Sequence, residues 1–228
     1  MTSREFSDRV RRRARRADLQ VSAPLLEQLE TYFQLLNTWN AKINLTALDL
    51  QRDPDNAVDR LLIEPLAAIR HLDTKALRVI DVGSGGGSPA IPMKLARPGA
   101  AFTLVESKTR KCAFLREAGR QLKIDLSVET ARYEMLLSRP EFHEAFDALT
   151  MRAVKVEPRV LMSLQALLRP GGEFLLFRGP SSGEVASNVT PLLVPRGEFV
   201  LVESMQSRLL VLRKREVGPP QFQPFATA

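Results

Sequence analysis

Cysteine and tryptophan occur once each in the 228 residues, histidine occurs twice, and acidic residues are outnumbered 26 to 33 by basic ones. Each shortage removes a class of chemistry. A single thiol, Cys112, leaves no internal disulfide and no cysteine-rich metal site, so no metal is expected. It falls within an apolar helical pattern with no histidine beside it, which reads as packing and not as a nucleophile. His71 and His143 fall away from the carboxyl end of every expected strand, so they read as surface residues and not as bases. No apolar run approaches the roughly 18 residues of a membrane-crossing helix. The arginine-rich start lacks the apolar core of a secretory signal, and a soluble, cytoplasmic protein is expected.

An apolar fraction of 44% is ordinary for a globular chain. The length suits one sizeable α/β domain with an appended element, and not two full domains. The formal net charge of +7, carried mostly by arginine, favours a polyanion such as nucleic acid as partner.

The chain is organised around Leu77 to Ile91, a short β-branched run closed by Gly83, Gly85 and Gly87. Pro89 suits the first turn of a following helix, continued by Ile91, Met93 and Leu95 as far as Pro98. A strand, a glycine turn and a helix start make a nucleotide-binding corner, because glycine lets a ligand lie against bare backbone. A dinucleotide fingerprint needs glycine or alanine where this chain has Ser88, so the fit to a pyrophosphate is poor. Asp81-x-Gly83-x-Gly85-x-Gly87 instead resembles the first motif of methyltransferases that use S-adenosylmethionine. The next apolar run, Ala101 to Val105, ends in Glu106, where such folds hydrogen-bond a ribose hydroxyl. From the glycines alone, a plain tight turn or an NAD-dependent enzyme stays open.

Residues 1–21 form a basic segment in which Arg4, Arg9, Arg11, Arg12, Arg13, Arg15 and Arg16 are diluted by Glu5 and Asp8. It reads either as an RNA-steering arm or as a solvated or helical surface tail. Ser22 caps a helix whose apolar stripe runs through Leu25, Leu29, Phe33 and Leu36 to Trp39. That helix ends in Trp39-Asn40-Ala41-Lys42-Ile43-Asn44-Leu45-Thr46, which helical periodicity does not explain. Trp39 reads as packing, while Lys42 and Asn44 either face a nucleic acid or cap the turn.

This octet resembles the Trp-Asn-x-x-x-Asn-Leu-Thr signature of the ribosomal RNA small subunit methyltransferase G family, also called glucose-inhibited division protein B. Ile80 to Pro92 is similar to that family's glycine motif, and Glu106-Ser107 with Arg110-Lys111 to its Asp-Ser-x-x-Lys-Arg. Arg132-Tyr133-Glu134, Arg152-Ala153 and Pro170-Gly171-Gly172 match later motifs in the family's order, so the resemblance spans roughly Leu25 to Arg213. One motif departs. The family's Arg-His-x-x-Asp-Ser-Leu appears as Arg60-Leu61-Leu62-Ile63-Glu64-Pro65-Leu66, without the histidine (Leu61) and the serine (Pro65) but with an acid.

The resemblance implies an α/β, Rossmann-like seven-stranded sheet over 76–217, with a helical extension over 22–75 and a proline-containing tail over 218–228. Within that sheet, Lys108 to Leu122 reads as an amphipathic helix, and strands are expected at Asp125 to Val128, Phe146 to Met151 and Phe174 to Phe177. A helix over Leu161 to Leu168 is expected to stop at Pro170-Gly171-Gly172. A hairpin of Phe199 to Ser204 and Leu209 to Arg213, turning over Met205 to Ser207, closes the series.

The resemblance also implies a site. Asp81, Gly83, Gly85, Gly87, Ser88, Glu106, Tyr133 and Glu134 would hold S-adenosylmethionine. Arg152, at a strand's carboxyl end, would contact the methionine carboxylate or the RNA backbone and is the candidate catalytic group. Arg11, Arg12, Arg13, Lys42, Asn44 and Arg178 are assigned to RNA. Two absences narrow the acceptor: no Asn/Asp-Pro-Pro-aromatic tetrapeptide for an exocyclic amine, and no activated cysteine for pyrimidine carbon five. That agrees with the family's activity on guanine N7 of 16S ribosomal RNA, by a monomer acting on naked RNA or on the small subunit. A small-molecule methyltransferase and a non-catalytic RNA-binding protein are the alternatives.

Overall fold

The computed structural model describes residues 1–75, 78–152, 157–180 and 192–216. Ala153 and the tail over 218–228 lie outside the described residues.

Seven strands form one sheet in the order β3-β2-β1-β4-β5-β7-β6: β1 (Arg78–Val82), β2 (Ala101–Glu106), β3 (Leu126–Thr130), β4 (Phe146–Arg152), β5 (Leu168–Arg178), β6 (Leu193–Val202) and β7 (Ser207–Lys214). The first five run parallel, and β7 enters antiparallel between β5 and β6. Apolar side chains alternate between two covered faces, as the strand period of two requires. Val79 and Leu104 join the cluster under the N-terminal helices, while Ile80, Val82 and Val105 join the opposite one. Because β1 has β2 on one side and β4 on the other, the connections part at β1. That divergence opens a crevice at the carboxyl ends.

Residues 3–16 are helical and docked. In α1 (Ser3–Arg16), Thr2 and Glu5 form a reciprocal capping box, and Phe6, Val10 and Ala14 recur every fourth residue on one buried stripe. The segment is thus an amphipathic helix whose arginines occupy its other faces. α2 (Ala23–Ile43) starts at the Ser22 cap and ends with Asn44 in the left-handed region at φ +50°. α3 (Pro54–Val58), a π-turn over Asp59–Ile63 and α4 (Glu64–Ala68) then follow without a break. Pro65 causes part of this irregularity, since it has no N–H to give the Leu61 carbonyl four residues back. That carbonyl accepts the Ser88 hydroxyl instead, at 3.0 Å.

The Rossmann-like helices are α5 (Ala90–Ala96), α6 (Thr109–Leu122), α7 (Tyr133–Leu136) and α8 (Pro158–Leu164). Two sequence expectations need correction. The helix α8 ends in a 3₁₀ turn at Gln165–Leu167, and Pro170-Gly171-Gly172 lies inside β5 instead of ending the helix. There the chain presses on β4: a Cβ on Gly172 would lie 2.9 Å from the Arg169 carbonyl and 3.1 Å from that of Asp147. The closing hairpin begins at Leu193, and its turn is Glu203–Met205 followed by Gln206 at φ +50°.

Candidate functional site

The turn after β1 is folded back over the end of β2. The Gly83 and Ser84 amides both donate to the Val105 carbonyl, at 2.9 and 3.0 Å. That geometry needs left-handed backbone, with φ of +78° at Gly83 and +52° at Gly85. The Glu106 carboxylate accepts from the Gly85 amide at 3.0 Å through Oε2 and from the Lys108 amide at 2.8 Å through Oε1. Oε1 also accepts the Ser107 hydroxyl at 3.5 Å, while Oε2 retains a lone pair for a further donor.

Gly83, Glu106, Lys108, Arg132, Tyr133 and Glu134 line a cleft of about 430 Å³ beside this turn. A Cβ built on Gly83 meets nothing within 4 Å, so bare backbone faces open space. The volume falls in the usual range for small-molecule sites. Partial burial and the adjacent Glu134 charge raise the Tyr133 phenol pKa. It therefore stays a neutral ring at the rim.

The other residues expected at the donor site stand behind this cleft. Asp81 is 1% exposed and accepts the Thr150 hydroxyl at 2.6 Å. Burial pushes its carboxyl above the ordinary range, and its Oδ2 has no hydrogen-bond partner. At Gly87, φ +84°, a Cβ would fall 2.5 Å from Ile91 Cδ1, so that glycine serves packing. Ser88 turns its hydroxyl to Leu61 and not to the cleft.

Arg152 ends β4 on the same edge of the sheet but outside the cleft lining. Its Nη1 donates to Glu64 Oε2 at 2.5 Å, and its guanidinium lies over the Phe177 ring at 4.9 Å. Glu64 is fully buried and also accepts from Arg60 at 2.8 Å. The residue expected to contact a ligand thus already has a carboxylate partner, supplied by the helical extension. Sequence reasoning missed Glu64 in this role, although its retention in an otherwise altered motif was a signal.

The residues assigned to RNA divide in two. Arg11, Arg12, Lys42 and Asn44 are exposed. Arg13 makes a bidentate pair with Asp59, at 2.6 Å for both contacts, and reaches Asp55 at 2.7 Å, which leaves its side chain 11% exposed. Arg178 pairs with Glu198 at 2.7 Å. Those two arginines therefore hold elements together, and direct phosphate contact by Arg13 is not what its setting favours.

Neither histidine lines the cleft: His71 stacks on Phe199 at 3.9 Å, and His143 donates from Nε2 to the Leu137 carbonyl at 2.6 Å. Cys112 is buried with its thiol on the Glu106 carbonyl at 3.1 Å. Among the described residues, no cluster of acids, histidines and cysteine suits a metal ion, and no helix is long and apolar enough to cross a membrane.

Solved structures share the fold: a protein from Pyrococcus horikoshii matches with TM-score 0.56 at 14% identity, covering 78% of this chain and 99% of its own. A geranyl diphosphate methyltransferase solved with sinefungin matches with TM-score 0.50 at 16% identity, covering 66% and 76%. Sequence relatives are nearer. Proteins named ribosomal RNA small subunit methyltransferase G from Stenotrophomonas maltophilia and Xanthomonas axonopodis are each 37% identical, over 78% and 83% of this chain and 85% and 89% of their own. One from Carboxydothermus hydrogenoformans is 35% identical over 73% of this chain and 70% of its own. The model of the family rRNA small subunit methyltransferase G matches residues 25–210, and the chain belongs to that family.

Proposed function

We propose that this chain transfers the methyl group of S-adenosylmethionine to N7 of a guanine in 16S ribosomal RNA, acting as a cytoplasmic monomer on the RNA or the small subunit. The observation that carries the donor assignment is the pairing of bare Gly83 backbone with the anchored Glu106 carboxylate in one cleft at the sheet's switch point. When bound, the donor supplies an electrophilic methyl on a sulfonium. Glu106 would accept a ribose hydroxyl, Gly83 would let the nucleoside lie against the chain, and Tyr133 with Glu134 would cover the adenine. Asp81, Gly85, Gly87 and Ser88 would shape that floor from behind.

Guanine N7 already carries a free lone pair, so the chain has no proton to remove. Its residues need only orient the base and exclude water, contributions that supply much of the acceleration in bimolecular transfers. Arg152, held on Glu64 at the carboxyl end of β4, would meet the acceptor or the donor's carboxylate. Arg11, Arg12, Lys42 and Asn44 would contact phosphates, while Arg13 and Arg178 keep the surrounding elements in register.

The test is incubation of the protein with tritiated donor and either naked 16S RNA or small subunits from cells lacking the enzyme. Borohydride and aniline cleavage then locates N7-methylguanine. Label at one guanine, abolished by Glu106→Ala, is expected. Donor binding with no incorporation into either substrate overturns the acceptor, and binding of a pyridine dinucleotide instead overturns the donor.

A further inference from the structure

The octet Trp39–Thr46 has so far no role beyond a helix end, yet its backbone touches the glycine turn. Tyr32, buried in α2, donates its hydroxyl to the Gly86 carbonyl at 2.6 Å across 54 residues of sequence. Gly86 lies between the two left-handed glycines Gly85 and Gly87, so this bond grips the turn at its middle. Burial pushes the Tyr32 phenol far above its ordinary range, which keeps it a donor at any physiological pH. A half-buried carbonyl left without such a partner would cost stability.

The octet supplies a second grip. Asn40 Oδ1 accepts from the Leu45 amide at 2.6 Å and the Thr46 amide at 2.9 Å, which closes the loop that leaves α2 at Asn44. That closure sets Leu45 behind the turn. Its Cβ would be 3.4 Å from a Cβ on Gly86, and its carbonyl 3.9 Å from one on Gly85. Leu36 Cδ1 approaches to 3.0 Å of the same point on Gly86. Trp39 meets Phe114 of α6 edge-on at 5.8 Å, which fixes α2 against the helix that follows Glu106. The glycine turn is thus held on the cleft side by Glu106 through Gly85 and from behind by α2 and its loop.

We infer that Tyr32 and Asn40 are positioning residues for the methyl donor, and that the octet acts as a brace for the glycine turn, with RNA contact confined to the exposed Lys42 and Asn44. The inference rests on the reading that this turn receives S-adenosylmethionine. A brace of this kind makes no contact with ligand. It keeps the Gly83 and Gly85 backbone in the binding shape, so its loss weakens ground-state and transition-state donor binding alike.

The experiment measures S-adenosylmethionine binding by calorimetry, together with kcat and KM for the donor and thermal melting, on the full chain. Tyr32→Phe should raise Kd and donor KM roughly threefold to tenfold, the worth of one half-buried hydrogen bond. At saturating donor its kcat should stay within about twofold of wild type. Asn40→Ala should act in the same direction, and Asn40→Asp, which keeps an acceptor for both amides, should restore affinity. A merely structural role would lower melting temperature and active fraction but leave Kd unchanged. Folded Tyr32→Phe and Asn40→Ala with wild-type Kd overturn the brace while the donor reading stands. A wild-type protein that binds no donor overturns the reading beneath it. Should Asn40→Ala fail to fold, the same comparison of Tyr32→Phe and Asn40→Asp with wild type decides: wild-type Kd in Tyr32→Phe, or a Kd in Asn40→Asp raised as far, overturns the brace.

Discussion

Arg152 Nη1 and Glu64 Oε2 meet at 2.5 Å, joining the end of β4 to the first residue of α4 across 88 positions. Glu64 is fully buried and serves Arg60 as well, so one carboxylate neutralises two guanidinium groups that are each about a quarter exposed. Glu64→Gln would leave both cations without their counter-charge. Removing one partner of a buried pair costs about 3–5 kcal/mol, and the partial exposure of both arginines places this case near the lower end. The larger expected effect is on rate, since a misplaced group near reacting atoms costs on the order of 10²-fold. Single-turnover methylation at saturating donor reads it, with melting as control. A wild-type rate in folded Glu64→Gln would remove Arg152 from the acceptor side of the site.

The glycines of the turn should separate by phenotype. Gly87→Ala puts a methyl 2.5 Å from Ile91 Cδ1 and 3.2 Å from Leu115 Cδ2, both in the core, at φ +84°. Left-handed strain and overpacking together predict a loss of about 2–4 kcal/mol. Gly83→Ala carries similar backbone strain at φ +78° but meets nothing within 4 Å. It should cost only about 1–2 kcal/mol. Its methyl enters the cleft, so donor Kd should rise by at least about tenfold, which Gly87→Ala, melting well above the assay temperature or not, should not match. Equal effects of the two on binding would place the donor elsewhere.

This separation also marks what the sequence could reveal. β1, β2 and β4 were readable because a parallel strand is covered on both faces, so each appears as a mostly apolar run, interrupted by Asp81 in β1, Thr103 in β2, and Asp147 and Thr150 in β4, and Glu106 ends β2. The glycine motif located the cleft because only left-handed backbone builds that turn. It did not separate Gly83, which faces the cleft, from Gly87, which packs on Ile91. Docking of α1 was hidden because its buried stripe is only Phe6, Val10 and Ala14 among many arginines. Pro170-Gly171-Gly172 read as a helix stop because local propensity carries no record of β4 pressing on that backbone. Glu64 with Arg152, and Tyr32 with Gly86, are partners 88 and 54 residues apart, and no spacing rule reaches that far.

Glu173 should give stability an unusual pH dependence. Its side chain is 3% exposed, and Arg196 Nη1 reaches both oxygens, at 2.9 and 3.0 Å. Burial outweighs that cation and raises the carboxyl above its ordinary 4.5. A carboxyl with a raised folded pKa holds its proton more tightly in the folded state. Its favourable share is complete below 4.5 and disappears as pH climbs through the raised value. Glu173→Gln has no proton to lose, so it should gain on wild type as pH rises from about 4 to about 8. His71, whose pKa burial and two neighbouring arginines lower, is present in both proteins and largely cancels in the difference. Melting curves across that range provide the check, and a difference that does not change with pH refutes the assignment.

Arg13 and its neighbours Arg11 and Arg12 should behave as different kinds of residue despite their adjacency. Arg13→Ala strands Asp59, whose side chain is 4% exposed, and takes from Asp55 a contact at 2.7 Å. An uncompensated buried carboxylate predicts a stability loss of about 3 kcal/mol. Because Arg13 is already neutralised by those acids, the salt dependence of RNA binding should stay as in wild type. The double variant Arg11→Ala, Arg12→Ala removes two exposed charges that have no buried partner to strand. It should melt as wild type does, yet lose slope in the plot of log affinity against log salt, by about 0.7–0.9 for each phosphate contact removed. Filter binding of small-subunit RNA over a salt series, alongside melting of each variant, distinguishes the two. A reduced slope in Arg13→Ala would overturn its neutralisation by Asp55 and Asp59, and an unchanged slope in the double variant would mean that the outer face of α1 is not where the RNA lies.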